Sequence, residues 1–305
     1  MLILLQHLVN FLYRHPKARL KRFKRFGGYL NYREINRYSE QMKLSSGDLP
    51  PVRSYAQGLS IYFLTGKKYL YQTLFCIQSL VKHSDEKFSF ILVDDGSFNK
   101  GLISRIHRQL PGSTIITQEM IAQNLEKYLP ERLYPYLHHK RKEYPHIKKL
   151  TDIHTIPDNP FKLVLDSDML FWDEPKEIIN WLKNPDRPLH MVDCDKSYGY
   201  SAELMEALCG ARVRPLINVG AIGLNISQIN WNHIEHWTKT LEEKEGKTYF
   251  LEQALSAMII GNDNSVILNP GDYIVNPNEE AKGVLHHYVD LSKEFYFKRA
   301  WQQFI

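Results

Sequence analysis

The sequence predicts an α/β protein with a mostly parallel central sheet, helices on both faces of that sheet, and a basic amphipathic helix in front of it. Three observations support this prediction. Strand-like and helix-like segments alternate through the first half of the chain, a pattern that is typical of parallel sheets. Two of the strand-like segments, FSFILVD and FKLVLD, end in acidic residues. Basic residues without acidic neighbours accumulate before residue 34.

Each element is predicted from the spacing of its apolar residues. In a strand these residues alternate or form a continuous run, and in a helix they recur every three to four positions. The predicted strands are 59–65, 88–94, 113–117, 161–165, 189–193, 215–225 and 284–289. The predicted helices are 69–83, 98–109, several segments within 118–154, 174–184, a long helix capped by Ser227, and 249–259. Residues 45–54, SSGDLPPVRS, have the composition of a linker.

The composition is that of a soluble globular protein. The chain has 305 residues, of which 43% are apolar and 24% are charged, and these values exclude a disordered, collagen-like or disulfide-scaffold protein. The cysteines Cys76, Cys194 and Cys209 are far apart and form no C-x-x-C pair, so neither a disulfide framework nor a zinc site is predicted. We expect a reducing, cytoplasmic setting.

Residues 1–57 are predicted to be a basic amphipathic arm and linker, followed by one domain at 58–305. Of the 39 lysines and arginines, eight lie in residues 1–33, which contain no Asp or Glu. The other 31 face 34 acidic residues, which gives the rest of the chain a charge of −3. A basic surface over the whole protein is therefore not indicated, and nucleic acid is not a predicted partner.

The arm is predicted to lie on an anionic membrane surface through residues 1–26, at the inner face of a membrane. Its apolar run MLILLQHLVNFLY is shorter than the roughly 20 residues that span a bilayer. Its charges follow this run instead of preceding it, unlike those of a signal peptide. Apolar residues at helical spacing among basic ones are typical of an interfacial helix. The alternative is a helix packed on the body with its basic face in solvent. The spaced apolar residues are Leu5, Leu8, Val9, Leu12, Leu20, Phe23 and Phe26.

The segment Asp166-Ser167-Asp168 is a candidate metal site. It directly follows the apolar strand FKLVL, and alternate residues of an extended chain point to the same side, which brings both carboxylates together. Ligands of parallel sheets bind beyond the carboxyl ends of the strands, and hard divalent cations take oxygen ligands. The alternative is a pair of aspartates that cap a turn.

Several short motifs, in this order along the chain, resemble those of nucleotide-sugar glycosyltransferases with the GT-A fold, and in particular the retaining family 8. The resemblance covers roughly 58–301 and implies a Rossmann-like, mostly parallel central sheet. Family 8 usually has Gly three residues after its metal-binding His, where this chain has Asp290. The motifs are Val93–Ser97, Asp166-Ser167-Asp168, Asn218-Val219-Gly220, Glu252-Gln253, and His287-Tyr288 followed by Lys293.

The resemblance also implies the site residues and the cofactor. Asp166, Asp168 and His287 would bind Mn²⁺ or Mg²⁺, and a His beside carboxylates favours Mn²⁺. His286 is the alternative, but only one of two successive strand residues can face the metal, and the spacing to Lys293 favours His287. The catalytic candidates are Gln253, Glu252 and Asp193. The donor-binding candidates are Thr65, Gly66, Asp94, Asp95, Lys149 (or its neighbour Lys148), Asp166, Ser167, Asn218, Gly220 and Lys293.

The expected function is transfer of a sugar, with retention of configuration, from a nucleoside-diphosphate sugar to a glycan, lipid-linked or other acceptor. The resemblance favours a UDP-sugar. An inverting transferase that uses Asp193, Asp195 or Glu252 as its base stays open. A sugar nucleotidyltransferase would carry a Gly-rich basic loop after the first strand, which TGKKYLYQT matches only weakly. A non-catalytic binding module is the remaining alternative.

Overall fold

The computed structural model describes residues 15–196, 198–261 and 265–305. The strands of these residues form two sheets. They are β1 (Leu59–Thr65), β2 (Phe88–Asp94), β3 (Thr114–Ile116), β4 (Phe161–Leu165), β5 (Met169–Phe171), β6 (Leu189–Val192), β7 (Ile217–Asn225), β8 (Val266–Ile267), β9 (Tyr273–Val275) and β10 (Leu285–His287).

Most of the helices lie between the strands in sequence. In the described residues they are α1 (His15–Arg25), α2 (Tyr29–Ser45), α3 (Leu70–Lys82), α4 (Lys100–Gln109), α5 (Gln118–Tyr128), α6 (Pro135–Glu143), α7 (Lys148–His154), α8 (Lys176–Lys183), α9 (Ala202–Cys209), α10 (Trp231–Glu245), α11 (Leu251–Ile260) and α12 (Lys293–Lys298).

The central sheet has seven strands in the order β3-β2-β1-β4-β7-β6-β8. Only β7 runs against its neighbours, because it pairs antiparallel with β4 and with β6 while the other pairs are parallel. The carboxyl ends of β1, β2 and β4 therefore meet at one edge, where ligands of such sheets bind. A second sheet, β5-β10-β9, follows directly from the end of β4. The predicted mostly parallel sheet is confirmed.

The two faces of the central sheet are covered by two apolar clusters. Phe63 of β1 packs in one cluster with Phe75 of α3, whereas its neighbour Tyr62 packs in the other with Leu150 of α7 and Leu255 of α11. Successive strand residues face opposite sides, so a strand with helices on both faces must be apolar throughout. All seven residues of β2 are buried, which confirms the prediction of helices on both faces.

The helix predicted to be capped by Ser227 is α10, and its cap lies three residues later at Asn230, so that prediction was wrong. Ser227 lies in a short 3₁₀ turn, and its hydroxyl and N–H both donate to the side chain of Asn225. The side chain of Asn230 caps α10 by accepting hydrogen bonds from the N–H groups of Asn232 and His233. An asparagine caps a helix as well as a serine does, and the serine hydroxyl is already used in the preceding turn.

The N-terminal helices are docked on the body. The Lys298 side chain of α12 bonds to Asn31 and Glu34 of α2. Residues 46–58, part of which has a linker composition, run along the body, where the Ser54 hydroxyl accepts a hydrogen bond from the Phe90 N–H. The boundary at 57/58 stays a prediction.

Residues 1–14, with Leu5, Leu8, Val9 and Leu12 of the predicted arm, lie outside the described residues, as do Ser197 and residues 262–264. Within the described part of the chain, no helix has both the length and the apolarity to cross a bilayer.

Candidate functional site

A cavity of about 950 Å³ opens at the carboxyl ends of β1, β2 and β4. Most of the residues singled out in the sequence line it, although they come from distant parts of the chain. Thr65, Gly66, Asp94 and Gly220 are not among its lining residues and lie behind its wall. The predicted residues that line it are Asp95, Lys149, Asp166, Ser167, Asp168, Asp193, Asp195, Asn218, Glu252, Gln253, His287 and Lys293.

Asp166, Asp168 and His287 form a group that could hold a metal ion. One donor atom from each lies within 4.8 Å of the others. The Nε2 atom of His287 is 3.6 Å from Asp166 Oδ2 and 3.5 Å from Asp168 Oδ1. The group arises because β10 pairs with β5, which directly follows the two aspartates. Two carboxylates and an imidazole suit a divalent cation such as Mn²⁺.

Asn218 sets the tautomer of His287. The amide nitrogen of Asn218 donates to Asp193 Oδ2 at 3.2 Å, and its oxygen accepts a hydrogen bond from the Gly220 N–H at 2.9 Å. The Nδ1 atom of His287 lies 3.1 Å from the same oxygen, so Nδ1 must carry the hydrogen. The Nε2 atom faces the two aspartates and is then the ring nitrogen that a metal ion could take.

Gly220 leaves the space that His287 occupies. A Cβ atom at this position would lie 2.4 Å from the Cε1 and Nδ1 atoms of His287, closer than atoms in contact can approach. The motif Asn-x-Gly thus has two mechanical roles here, to bond the histidine and to make room for it. His286 instead contacts the Tyr288 hydroxyl and the Trp172 ring.

Two lysines balance the carboxylates of the cavity. Lys149 Nζ lies 2.9 Å from Asp166 Oδ1, and Lys293 Nζ donates to Asp168 Oδ2 at 2.9 Å. Burial opposes the charged form of Lys149, but Asp166 and Glu252 outweigh it and raise its pKa. Burial likewise opposes ionisation of Asp168, but Lys293 and His287 together lower its pKa. Lys149, Lys293 and Asp168 are therefore charged at neutral pH, so two lysine cations lie beside the carboxylates of the cavity.

The structure distinguishes Asp94 from Asp95. The Oδ1 atom of Asp94 accepts hydrogen bonds from the N–H groups of Gly96, Ser97 and Phe98, so this carboxylate holds the turn after β2. Asp95 lines the cavity. Lys148 donates to the backbone oxygen of Asp95 at 2.7 Å, so it is Lys149 of the two lysines that reaches the metal group.

Thr65 and Gly66 shape the cavity wall from behind. A Cβ atom on Gly66 would lie 2.0 Å from Asp95 Oδ1 and 2.3 Å from the Ser97 hydroxyl oxygen. The hydroxyl of Thr65 is 2.8 Å from that of Thr73, which is 2.9 Å from that of Ser167. This chain of hydroxyls joins the end of β1 to the metal group. The predicted backbone contact of Thr65 and Gly66 with a nucleoside stays a prediction.

Gln253 has one free edge towards the cavity. Its amide nitrogen donates to Asp193 Oδ2 at 2.8 Å and to the Ile217 oxygen at 2.9 Å. Both partners are acceptors, so the orientation of the amide is fixed by its contacts. Within the described part of the chain, the Oε1 atom makes no hydrogen bond and is left for a ligand. Asp193 is also held by Asn218 and by the Cys194 N–H.

Glu252 is a buried carboxyl beside Lys149. Its Oε2 atom lies 3.9 Å from Lys149 Nζ, and only 7% of its side chain is exposed. Burial raises the pKa of Glu252 to about 7, although Lys149 opposes the rise and Asp166 adds to it. A group with such a pKa exchanges a proton near neutral pH, as catalytic carboxyls do.

Some lining residues gave no signal in the sequence. An aromatic wall is formed by Tyr144, His146 and Tyr249, with the His146 and Tyr249 rings 4.9 Å apart. Arg25 of α1 also lines the cavity, through a contact across 265 positions that no local pattern predicts. Of these lining residues, only Tyr249 could have been proposed from the sequence, because it lies three residues before Glu252.

Two solved structures share this architecture. The apo form of mouse xyloside xylosyltransferase 1 has a TM-score of 0.50 at 13% identity and covers 78% of this chain and 98% of its own. The galactosyltransferase LgtC, in complex with donor and acceptor sugar analogues, has a TM-score of 0.50 at 13% identity and covers 81% of this chain and all of its own. Comparison of the sequence with known protein families and with curated proteins found no match.

Both structures are GT-A glycosyltransferases, and the chain has the GT-A fold. The fold expected from the short motifs of the sequence is thereby confirmed. Fold alone does not fix activity, and membership of family 8 stays a prediction.

Proposed function

We propose that the chain is a metal-dependent glycosyltransferase that moves a sugar from a nucleoside-diphosphate sugar, in the first place a UDP-sugar, to an acceptor hydroxyl. One observation carries the proposal. The donor group Asp166–Asp168–His287 and the cations Lys149 and Lys293 meet in one cavity at the ligand-binding edge of a GT-A sheet. A carboxylate-lined pocket with two lysines paired to its carboxylates suits a diphosphate and a divalent cation.

The residues divide into three parts by position. Asp95 and the turn after β2 would bind the nucleoside. Gly66 lies behind them, where a larger side chain would collide with Asp95. Asp166, Asp168 and His287 would hold the cation, which supplies neutralisation of the charge that grows on the leaving diphosphate. Lys293 would turn from Asp168 to the diphosphate once the cation is bound.

The sugar would lie over Gln253, Glu252 and Asp193. Asp193 binds both Asn218 and Gln253, so one carboxylate orients the metal-side asparagine and the sugar-side glutamine together. The free Oε1 atom of Gln253 would face the positive charge that develops at the sugar carbon. Buried polar groups of this kind discriminate between sugars because a wrong epimer leaves them unpaired. Retention of configuration is the expected outcome.

An inverting reaction is the second candidate, and the pKa of Glu252 near 7 is the observation that favours it. In that reaction a carboxylate takes the proton of the acceptor hydroxyl. The ion pair with Lys149 argues against this role, because the lysine stabilises the ionised form of Glu252 and makes it a weaker base.

The donor class is tested by thermal unfolding with UDP-, GDP- and CDP-sugars, each with Mn²⁺ or with excess chelator. We expect a UDP-sugar with Mn²⁺ to raise Tm by several degrees, since about 2.7 kcal/mol is added at a ligand concentration 100 times Kd. The same nucleotide with chelator should raise Tm far less. Equal protection in both conditions would contradict a metal-dependent donor site.

We further propose that residues 1–26 attach the protein to an anionic membrane surface at its cytoplasmic side. The described part of this arm supports the proposal through Leu20, which is 59% exposed, and the exposed basic residues Lys21, Arg22 and Lys24 beside it. An exposed apolar side chain next to exposed cations is typical of interfacial helices.

Deletion of residues 1–26 is expected to abolish binding to vesicles that contain 30% anionic lipid. Seven basic residues are removed, each worth about 1 kcal/mol near an anionic surface. The measurement is co-flotation of the full chain and the truncated chain at two salt concentrations, with neutral vesicles as the control. If the truncated chain floats as well as the full one, the attachment lies elsewhere.

A further inference from the structure

The last residue of α1 contributes a side chain to the cavity. Arg25 Nε donates to Asp290 Oδ1 at 2.6 Å, and its Nη2 donates to Asp290 Oδ2. Both residues line the cavity. Asp290 follows His287 by three residues and precedes Lys293 by three, so it belongs to the segment that carries both of these groups. The N-terminal arm, which the sequence suggested as an anchor only, is therefore also part of the cavity wall.

The position of α1 is fixed by its contacts with α2, and that of α2 by its contacts with α12. The ring of Phe23 in α1 packs on that of Tyr32 in α2, with the ring centroids 5.2 Å apart. The side-chain amide of Asn31 in α2 donates to the carboxylate of Glu294 at 2.9 Å. The arm is thus tied to the helix that begins at Lys293, the lysine of the proposed diphosphate site.

The carboxylate of Asp290 adds to a cavity that is already acidic. Among the described residues that line it, seven are Asp or Glu and four are Lys or Arg. A diphosphate would bring further negative charge, and like charges placed near one another oppose binding. Asp290 is not a member of the metal group Asp166–Asp168–His287, so the cation of the proposed site would not be coordinated by it. Another positive charge has to neutralise Asp290.

The backbone at this position favours a residue that has no side chain. The φ angle of Asp290 is +46°, in the left-handed region that residues other than glycine seldom adopt. Such conformations cluster at binding sites, where the surrounding structure maintains them. A glycine would adopt this conformation without steric cost and would carry no charge. The aspartate has neither advantage, but it has a bidentate partner in Arg25.

The pair of Arg25 with Asp290 affects the charge of the cavity more than the stability of the fold. Their side chains are 55% and 39% exposed, and ion pairs with such exposure contribute little to stability. Two parallel N–H···O bonds nevertheless fix a guanidinium against a carboxylate in one geometry. The negative charge of Asp290 is then cancelled at the place where it faces the cavity.

We propose that Arg25 is a positioning residue of the donor site, which neutralises Asp290 and so permits an anionic diphosphate to bind beside Lys293. The inference rests on the proposed function, because its ligand is the diphosphate of the proposed donor. It gives α1 a role in donor binding in addition to the proposed attachment to a membrane.

The experiment measures the binding of UDP with Mn²⁺ to the full chain by titration calorimetry at about 0.02 M salt. We expect Arg25→Ala to weaken UDP about fivefold, the upper value for an interaction between exposed charges. Asp290→Gly should bind UDP at least as tightly as the wild-type chain. The double variant should return to within about twofold of the wild-type Kd, because neither charge of the pair remains.

Two controls separate charge from other effects. Arg33→Ala makes the same change at an exposed arginine of α2 outside the cavity lining and should alter Kd by less than about twofold. At about 0.3 M salt the loss caused by Arg25→Ala should become smaller, because salt screens exposed charges. The Tm of each variant reports whether the fold is intact.

Three results would overturn the inference while the wild-type chain binds UDP. They are wild-type affinity in Arg25→Ala, weakened binding in Asp290→Gly, and a double variant as weak as Arg25→Ala. The last result would mean that Arg25 acts on the ligand directly or only docks α1. A wild-type chain that binds none of UDP, GDP and CDP with Mn²⁺ would instead overturn the proposed function, and this inference with it.

Discussion

Asp168→Asn is expected to abolish Mn²⁺-dependent binding of a nucleoside diphosphate and to lower sugar transfer by more than about 100-fold. Asp168 is the carboxylate that lies within reach of both His287 and Lys293, and loss of groups that merely support metal ligands already costs 10–100-fold. An amide keeps the size and the acceptor oxygen of the side chain but removes the charge that a divalent cation requires. The measurement is calorimetric titration of UDP with Mn²⁺, together with the initial rate of transfer.

A matched variant separates the metal from general effects of charge. Asp173→Asn makes the same change five residues later, at an exposed position after β5 that does not line the cavity, and should leave binding and rate nearly unchanged. The Tm of both variants reports whether the fold is intact. Full activity of Asp168→Asn, or of the wild-type chain in excess chelator, would remove these residues from the proposed metal site.

The sequence was sufficient for the fold because the signals of the central strands are local. The segment 88–94 is apolar throughout, and as β2 it is buried on both faces. The aspartates at 166 and 168 directly follow the strand that places them at the ligand-binding edge. The choice of His287 over His286 also agrees with the geometry, because alternation along β10 leaves one ring on the metal side.

The sequence was insufficient where contacts cross long distances or compete locally. The sequence does not distinguish the roles of Asp94 and Asp95. The geometry of the turn shows that the Asp94 carboxylate accepts hydrogen bonds from three backbone N–H groups. The contact of Arg25 with Asp290 spans 265 positions and has no periodic signal. No local pattern shows that Lys140 pairs with Glu242 or Arg141 with Asp152. Turn geometry decides the first case, and side-chain partners elsewhere in the chain decide the other two.

Gln253→Ala is expected to lower kcat by roughly 10–10³-fold with a smaller effect on donor affinity, on the scale of other lost transition-state contacts. The amide nitrogen is committed to Asp193 and to the Ile217 oxygen, so the oxygen is the atom that remains for a developing positive charge. That charge is absent from the bound donor, so the interaction is made mainly in the transition state and its loss appears in kcat.

Gln123→Ala is the matched control, because Gln123 is exposed on α5 and does not line the cavity. Removal of Gln253 also takes from Asp193 one of its three hydrogen-bond donors, which costs about 1 kcal/mol of stability. The rate must therefore be compared at a temperature well below the Tm of the variant. An unchanged kcat in folded Gln253→Ala would contradict a role in transfer.

The configuration of the product distinguishes a retaining mechanism, in which Gln253 would act, from an inverting mechanism, in which Glu252 could act as the base. In a retaining reaction without a covalent intermediate, the acceptor hydroxyl enters on the face from which the phosphate leaves. The departing phosphate can then take the proton, so the protein needs orientation and polar support more than a base. Proton NMR of the product from an α-linked donor should then show an α anomer. A β anomer would transfer the catalytic role to a carboxylate base among Asp193, Asp195 and Glu252, and Glu252→Gln should then lower the rate more than Gln253→Ala.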